Sequence, residues 1–161
     1  MLNRLAAAAV FVSLAFGGPC VAAQPSSQLT YEAYADYLKR FNAGDDSYAG
    51  YYAENVVFDH GPFYGVLRGR QAIVDFYQNI RTQLQETVTV GEVSIDNARG
   101  VILAELFTRL VATKDGVALA SRTLNRGDAY TSRGVVVYKL KDGKIVDIRG
   151  AISGGTFEPA K

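Results

Sequence analysis

The chain is 161 residues long, with 17 basic and 16 acidic side chains, a net charge of +1 at pH 7, one histidine and one cysteine. So even a balance leaves no basic footprint for nucleic acid and none for an anionic membrane surface. With His60 as the sole imidazole, a transition-metal site would have to rest on carboxylates alone, and no tightly bound metal is expected.

Residues 1–23 read as a cleaved signal peptide. Arg4 supplies the positive start, Leu5 to Phe16 the apolar run, and Val21-Ala22-Ala23 the small-residue cleavage site. The run is short of the roughly 20 residues that span a bilayer, and Gly17, Gly18 and Pro19 break it. Pro19 directly before Cys20 fits a lipidation site poorly. Cleavage after Ala23 removes the only cysteine, and with it any disulfide or thiolate; it predicts a periplasmic or secreted protein that begins at Gln24 and does not insert in the membrane. Residues 24–161 match one domain, long enough for a real core.

Tyr34, Tyr37, Leu38 and Phe41 recur at helical spacing between the cap candidate Thr30 and the stop Gly44, which predicts an amphipathic first helix over 31–42. Asp45 and Asp46 can cap a second, short helix through Tyr52. Val56, Val57 and Phe58 then read as a brief strand, and Gly61, Pro62 and Gly65 as a loop. Ile73, Phe76, Tyr77 and Ile80 give a third helix from Arg70 to about Leu84. Beyond it, runs near 86–96, 101–113, 117–126, 130–140 and 144–152 are rich in valine, leucine and threonine and predict strands. Asp115-Gly116 and Asp142-Gly143 are dipeptides that type I′ hairpins prefer, with further turns at Asn97 to Gly100 and Gly127-Asp128. The expected result is an α+β fold, a mostly antiparallel meander wrapped around the first helix with a hollow between them.

Short stretches then resemble one family. From Tyr52 to Tyr77 the pattern Tyr52-Ala53, Gly69-Arg70, Ile73 and Phe76-Tyr77 lies on ketosteroid isomerases without a gap. Tyr37 with Gly44-Asp45 fits their first helix, and Gly143-Lys144-Ile145 their last hairpin. The chain is therefore similar to the ketosteroid isomerase, SnoaL and nuclear-transport-factor-2-like superfamily. The resemblance implies a cone-shaped α+β fold, with three N-terminal helices packed in a curved, mostly antiparallel sheet, and a closed-end pocket that works without a cofactor.

By position, Tyr37, Tyr52 and Tyr77 resemble the family's oxyanion-binding tyrosine and its two supporting tyrosines. In such a chain each hydroxyl that donates also accepts, which polarises the terminal donor. The plainer alternative is three core aromatics with satisfied hydroxyls. The ungapped match puts His60 at the family's general-base aspartate, with Asp59 beside it. An imidazole, with an ordinary pKa of about 6.5, can take a proton near neutrality and return it elsewhere. Asp59, a strand neighbour, points to the opposite face and is not expected to orient the ring.

One departure from the family lies at Val136, where the resemblance places a protonated aspartic acid; a valine cannot donate. In its stead Arg109, Arg122, Arg126 and Arg133 lie on the sheet strands, and Arg122 and Arg133, mid-strand, are expected to supply a cation to the pocket, with Glu105 as a possible partner. The resemblance implies a lyase or isomerase catalysing elimination, dehydration or C–C cleavage of a small aromatic or polyketide-like molecule, such as a lignin-derived phenolic dimer. The alternative is an exported, non-catalytic ligand-binding or accessory module. Phe107, Val111, Val135 and Val137 alternate on the outward face of the sheet, which predicts a homodimer or homotrimer.

Overall fold

The computed structural model describes residues 30–61, 64–119 and 122–161. The signal-peptide reading of 1–23 lies outside the described residues, as do Pro62 and Phe63 of the expected loop. Helix α1 (Tyr31–Ala43) begins where Thr30 Oγ1 accepts from the Ala33 amide at 3.1 Å and ends at Gly44, whose φ of 80° closes it in a left-handed cap. Its buried stripe is Tyr34, Tyr37, Leu38 and Phe41, the spacing that the sequence shows.

The expected second helix corresponds to a six-residue 3₁₀ helix, Asp46–Tyr51, capped by Asp45, whose carboxylate accepts from the Ser47 amide at 2.8 Å. A segment this short, with only Tyr48 and Ala49 buried, settles into the tighter winding. Strands β1 (Tyr52–Asp59) and β2 (Val66–Arg68) follow, and only then α2 (Arg70–Arg81), which buries Ile73, Val74 and Tyr77. Three N-terminal helices are thus corrected to one α-helix ahead of the sheet, a 3₁₀ turn and a later α2.

The remaining strands are β3 (Leu84–Asp96), β4 (Val101–Ala112), β5 (Val117–Leu119), β6 (Arg122–Leu124), β7 (Ala129–Lys141) and β8 (Lys144–Glu158). The mixed α+β class and the curved sheet are as expected. The six-stranded sheet runs β2-β1-β8-β7-β4-β3, antiparallel except where β1 pairs parallel with β8. From β3 to β8 the expected antiparallel meander holds, β3-β4-β7-β8 being neighbours in chain order, with the β5-β6 hairpin inserted between β4 and β7. The expected single run 117–126 instead forms two strands, β5 and β6, that pair with each other with Leu119 opposite Arg122. The physical reason is burial: Val117, Leu119 and Leu124 join Leu84 and Ala112 in a small second core, apart from the main one.

Asp142 and Gly143 both take positive φ, 52° and 72°, which a type I′ turn between β7 and β8 requires. A register shift at Val90/Val93 puts an extra residue in β3, and shifts opposite Arg133/Gly134 and Lys139/Leu140 put Ser153 and Val146 of β8 out of register, bending these strands. The edge strand β3 is tied to α1 by one side chain. Asn42 donates to the Val88 carbonyl at 2.7 Å and accepts from the Val88 amide at 2.8 Å, as a neighbouring strand would. Helix α1 is so held against the concave face, and a cavity remains between them.

Candidate active site

The cavity has a volume of about 570 Å³ and draws its wall from both α-helices and from β1, β3, β4, β7 and β8. Strand alternation decides the lining: Leu106, Thr108 and Leu110 of β4 and Ser132, Gly134 and Val136 of β7 face in, so the residues between them face out.

His60 follows the end of β1, where its amide donates to the Gly65 carbonyl at 2.9 Å and fixes the loop. Its ring sits in an aromatic box, 4.2 Å from the Phe58 ring, 5.0 Å from Phe76 and 5.2 Å from Tyr64. The Tyr77 hydroxyl of α2 stands 3.5 Å from Nε2, at the outer limit of hydrogen bonding. Burial lowers the basicity of the imidazole, partly opposed by its backbone hydrogen bond and by Asp59, so the neutral form prevails near pH 7. Asp59 is exposed and its carboxylate accepts from the Gly61 amide at 2.9 Å; it also borders the cavity.

Tyr37 reaches the cavity from α1 and shares a 2.8 Å hydrogen bond with the Tyr52 hydroxyl. Tyr52 is buried behind it and does not reach the cavity wall. If Tyr52 donates, the Tyr37 proton is free for a ligand oxygen. Tyr138 of β7, absent from the sequence-based set, packs edge-on against Tyr37 with centroids 6.0 Å apart, and its hydroxyl accepts from Tyr34 at 3.4 Å. Burial pushes Tyr37, Tyr52, Tyr77 and Tyr138 well above the ordinary phenol value, so all four stay protonated donors.

The arginines are corrected. Arg133 faces outward, donates through Nε to Glu105 Oε1 at 2.6 Å and covers the Phe107 ring at 5.6 Å. Arg122 is exposed on β6, with its guanidinium 5.2 Å from the Phe157 ring centroid. Neither reaches the cavity, and among the described lining residues there is no lysine or arginine. The reason is parity: Arg133 lies between the inward-facing Ser132 and Gly134, so its side chain leaves from the other face.

What the sequence reading missed is Glu86. It holds an inward position of β3 between the buried Leu84 and Val88, borders the cavity, and its Oε2 is buried with no hydrogen-bond partner among the described residues. Burial raises its carboxyl to about 7, with Arg81 pulling the other way. Arg81 itself donates to the Phe41 carbonyl at 2.9 Å and packs over the rings of Phe41, Tyr48 and Tyr77. The signal was present: in Leu84-Glu86-Val88-Val90, one charge stands in the apolar phase of an alternating strand. Among the described residues no group of three His, Cys, Asp or Glu side chains is placed to hold a metal ion.

The family model of the SnoaL-like domain matches residues 34–148, from α1 into β8. The chain belongs to the SnoaL-like family, within the nuclear-transport-factor-2-like superfamily. Solved structures agree on this SnoaL-like fold. A proposed polyketide cyclase from Xanthomonas campestris pv. campestris is similar with a TM-score of 0.62 at 23% identity, over 74% of this chain and 86% of that one. The epoxide hydrolase/cyclase-like enzyme SalBIII, with a role in pyran ring formation in polyether salinomycin, gives 0.60 at 21%, over 76% and 88%. A computationally designed 17-OHP binder gives 0.60 at 20%, over 79% and 94%. No curated relative matches the chain. SnoaL-like and related folds include cofactor-free isomerases, cyclases and epoxide hydrolases, and they bind small hydrophobic ligands. The fold itself carries both enzymes and binders, so activity has to be argued from the site.

Proposed function

We propose that this SnoaL-like domain is a cofactor-free acid/base enzyme, a lyase or isomerase, acting on a small hydrophobic, aromatic or polyketide-like molecule. The observation that carries the reading is His60: a ring held neutral by burial, on the cavity wall, with Nε2 next to the Tyr77 hydroxyl. Such a group takes a proton from a bound carbon acid and delivers it to a second atom. Tyr37, backed by Tyr52, supports the oxygen that gains charge. The aromatic walls, Phe58 and Tyr64 among them, suit a flat substrate. The test is turnover of a screened aromatic substrate by His60→Ala; unchanged turnover would sink the assignment.

A second reading, a non-catalytic exported binding module, draws support from Tyr37, whose hydroxyl already has a partner. It predicts tight, stoichiometric retention of a ligand without turnover. Export is part of the proposal on either reading: protein recovered outside the cytoplasm should begin at or near Gln24 by mass spectrometry. So is self-association through the outward face, where Leu103 and Val135 are 44% and 42% exposed; a monomer in sedimentation at micromolar concentration would remove it.

A further inference from the structure

The proposed function makes no use of Glu86, although it is the one carboxylate at an inward position of the described sheet whose oxygen is buried and unpartnered. Native proteins rarely leave such a group without a role. Its carboxyl interacts electrostatically with Tyr77 and Arg81 of α2, Tyr48 of the 3₁₀ helix and Tyr64 of the loop after β1. His60 and Asp59 border the same cavity. Tyr64 and Tyr77 pack near the His60 ring and line the same cavity as Glu86 and His60.

Arg81, the only cation in this group, gives its Nη2 to the Phe41 carbonyl and makes no ion pair with Glu86. The chemistry exposed to a ligand at this end of the cavity is therefore one carboxyl, one exposed carboxylate, an imidazole and phenol hydroxyls. A ligand carboxylate or phosphate would meet like charge there without a neutralising lysine or arginine among the described lining residues. A neutral hydroxyl or carbonyl oxygen would instead complete the missing hydrogen bond.

We propose that Glu86 is the polar anchor of the cavity and determines its specificity, binding the uncharged hydroxyl or carbonyl oxygen of an aromatic alcohol, phenol or ketone and rejecting aromatic carboxylates. This rests on the proposed function for the location of the substrate and deepens it by naming its chemical class. With its carboxyl raised to about 7, Glu86 exchanges its proton close to neutrality, so rejection of anions strengthens as the pH rises.

The test is binding, without turnover, so it stands apart from the His60 experiment. Affinities of 2-naphthol and 2-naphthoate are measured by calorimetry at about pH 6 and about pH 8, where the first stays uncharged and the second anionic. In the wild type the preference for 2-naphthol should widen roughly tenfold between the two conditions. Glu86→Gln, which keeps His60, should hold the ratio within about threefold. A naphthoate bound as tightly as naphthol at the higher pH would overturn the proposal. So would an undiminished pH effect in Glu86→Gln, or no binding of 2-naphthol at all. Infrared spectroscopy of the wild type covers the case in which the variant does not fold: a protonated carboxyl band should persist above about pH 6, and its absence overturns the proposal equally.

Discussion

Glu86 and Glu105 stand on neighbouring strands of one sheet, yet they live under opposite rules. Glu105 leaves β4 on the outward face, where the exposed Arg133 of β7 meets and partly covers it. Glu86 leaves β3 on the inward face, where burial removes it from water and its Oε2 has no hydrogen-bond partner among the described residues. An opposite charge in water stabilises little, whereas a lone carboxyl in a pocket pays a desolvation cost that shifts its chemistry. The contrast separates the two faces: outside, a carboxylate is paired with a cation, and inside it is not.

The largest expected effect belongs to the inward face. Loss of a single general base typically lowers turnover about a hundredfold to ten-thousandfold, so His60→Ala should fall in that range with an unchanged circular dichroism spectrum. The wild-type rate should decline on the acid side as the imidazole charges, at a pH below its ordinary value because burial lowers its basicity. That limb should vanish in the variant. If the fall in turnover were no greater than for an outward substitution, the two faces would not differ in function.

Glu86 sharpens the comparison through stability. Because burial raises its carboxyl to about 7, the folded protein holds that proton more tightly than the unfolded chain does. The stabilisation is full below the unfolded carboxylate value and is lost as pH rises through about 7. At roughly 1.4 kcal/mol per pKa unit the loss approaches about 3 kcal/mol. His60 acts in the reverse sense: its lowered basicity contributes stability above the unfolded imidazole value that is lost as pH falls. The difference between wild type and Glu86→Gln in urea denaturation, taken from about pH 5 to about pH 8, cancels the histidine and isolates the carboxyl. A flat difference would mean that Glu86 is ionised throughout.

Tyr37→Phe should cost about tenfold to a thousandfold in turnover, as expected for one oxyanion donor. The ring contacts with Tyr51, Tyr52 and Tyr138 remain, so melting should move little. A large loss of stability with full activity would assign the hydroxyl to packing alone.

These residues also mark how far the sequence could be read. The first helix was legible down to its caps, because Thr30 and Gly44 bracket a periodic apolar stripe and the cap chemistry is local. Asp142-Gly143 was legible for the same reason. The full order of strands was not, since the parallel pairing of β1 with β8 joins residues about ninety apart, and the run 117–126 gives no local sign that it leaves the main sheet as its own hairpin. His60, Tyr37 and Tyr77 do share one cavity, which a resemblance in positions could indicate. Arg122 and Arg133 do not, because mid-strand location says nothing of face; phase does. Glu86 is hidden from a sequence reading because the valine- and threonine-rich run predicts a strand from 86, whereas β3 begins at Leu84 and the alternation that places Glu86 inward starts there.

The smallest effect completes the comparison on the outward face. Arg133 is 62% exposed at its side chain and Glu105 19%, and the guanidinium also rests on the Phe107 ring at 5.6 Å. Exposed pairs measured by double-mutant cycles contribute about 0.2–1 kcal/mol, and a partly covered one belongs near the upper end of that range. Arg133→Gln, Glu105→Gln and the double variant should therefore give a coupling energy of about 0.5–1 kcal/mol in urea denaturation. It should shrink in about 1 M salt, where the Debye length is about 3 Å. Turnover should stay within about twofold of the wild type, because neither side chain reaches the cavity. A coupling of several kcal/mol would place the pair in a dry environment, as a subunit interface over this face would provide, while a large loss of turnover would return Arg133 to the site from which its strand parity removes it.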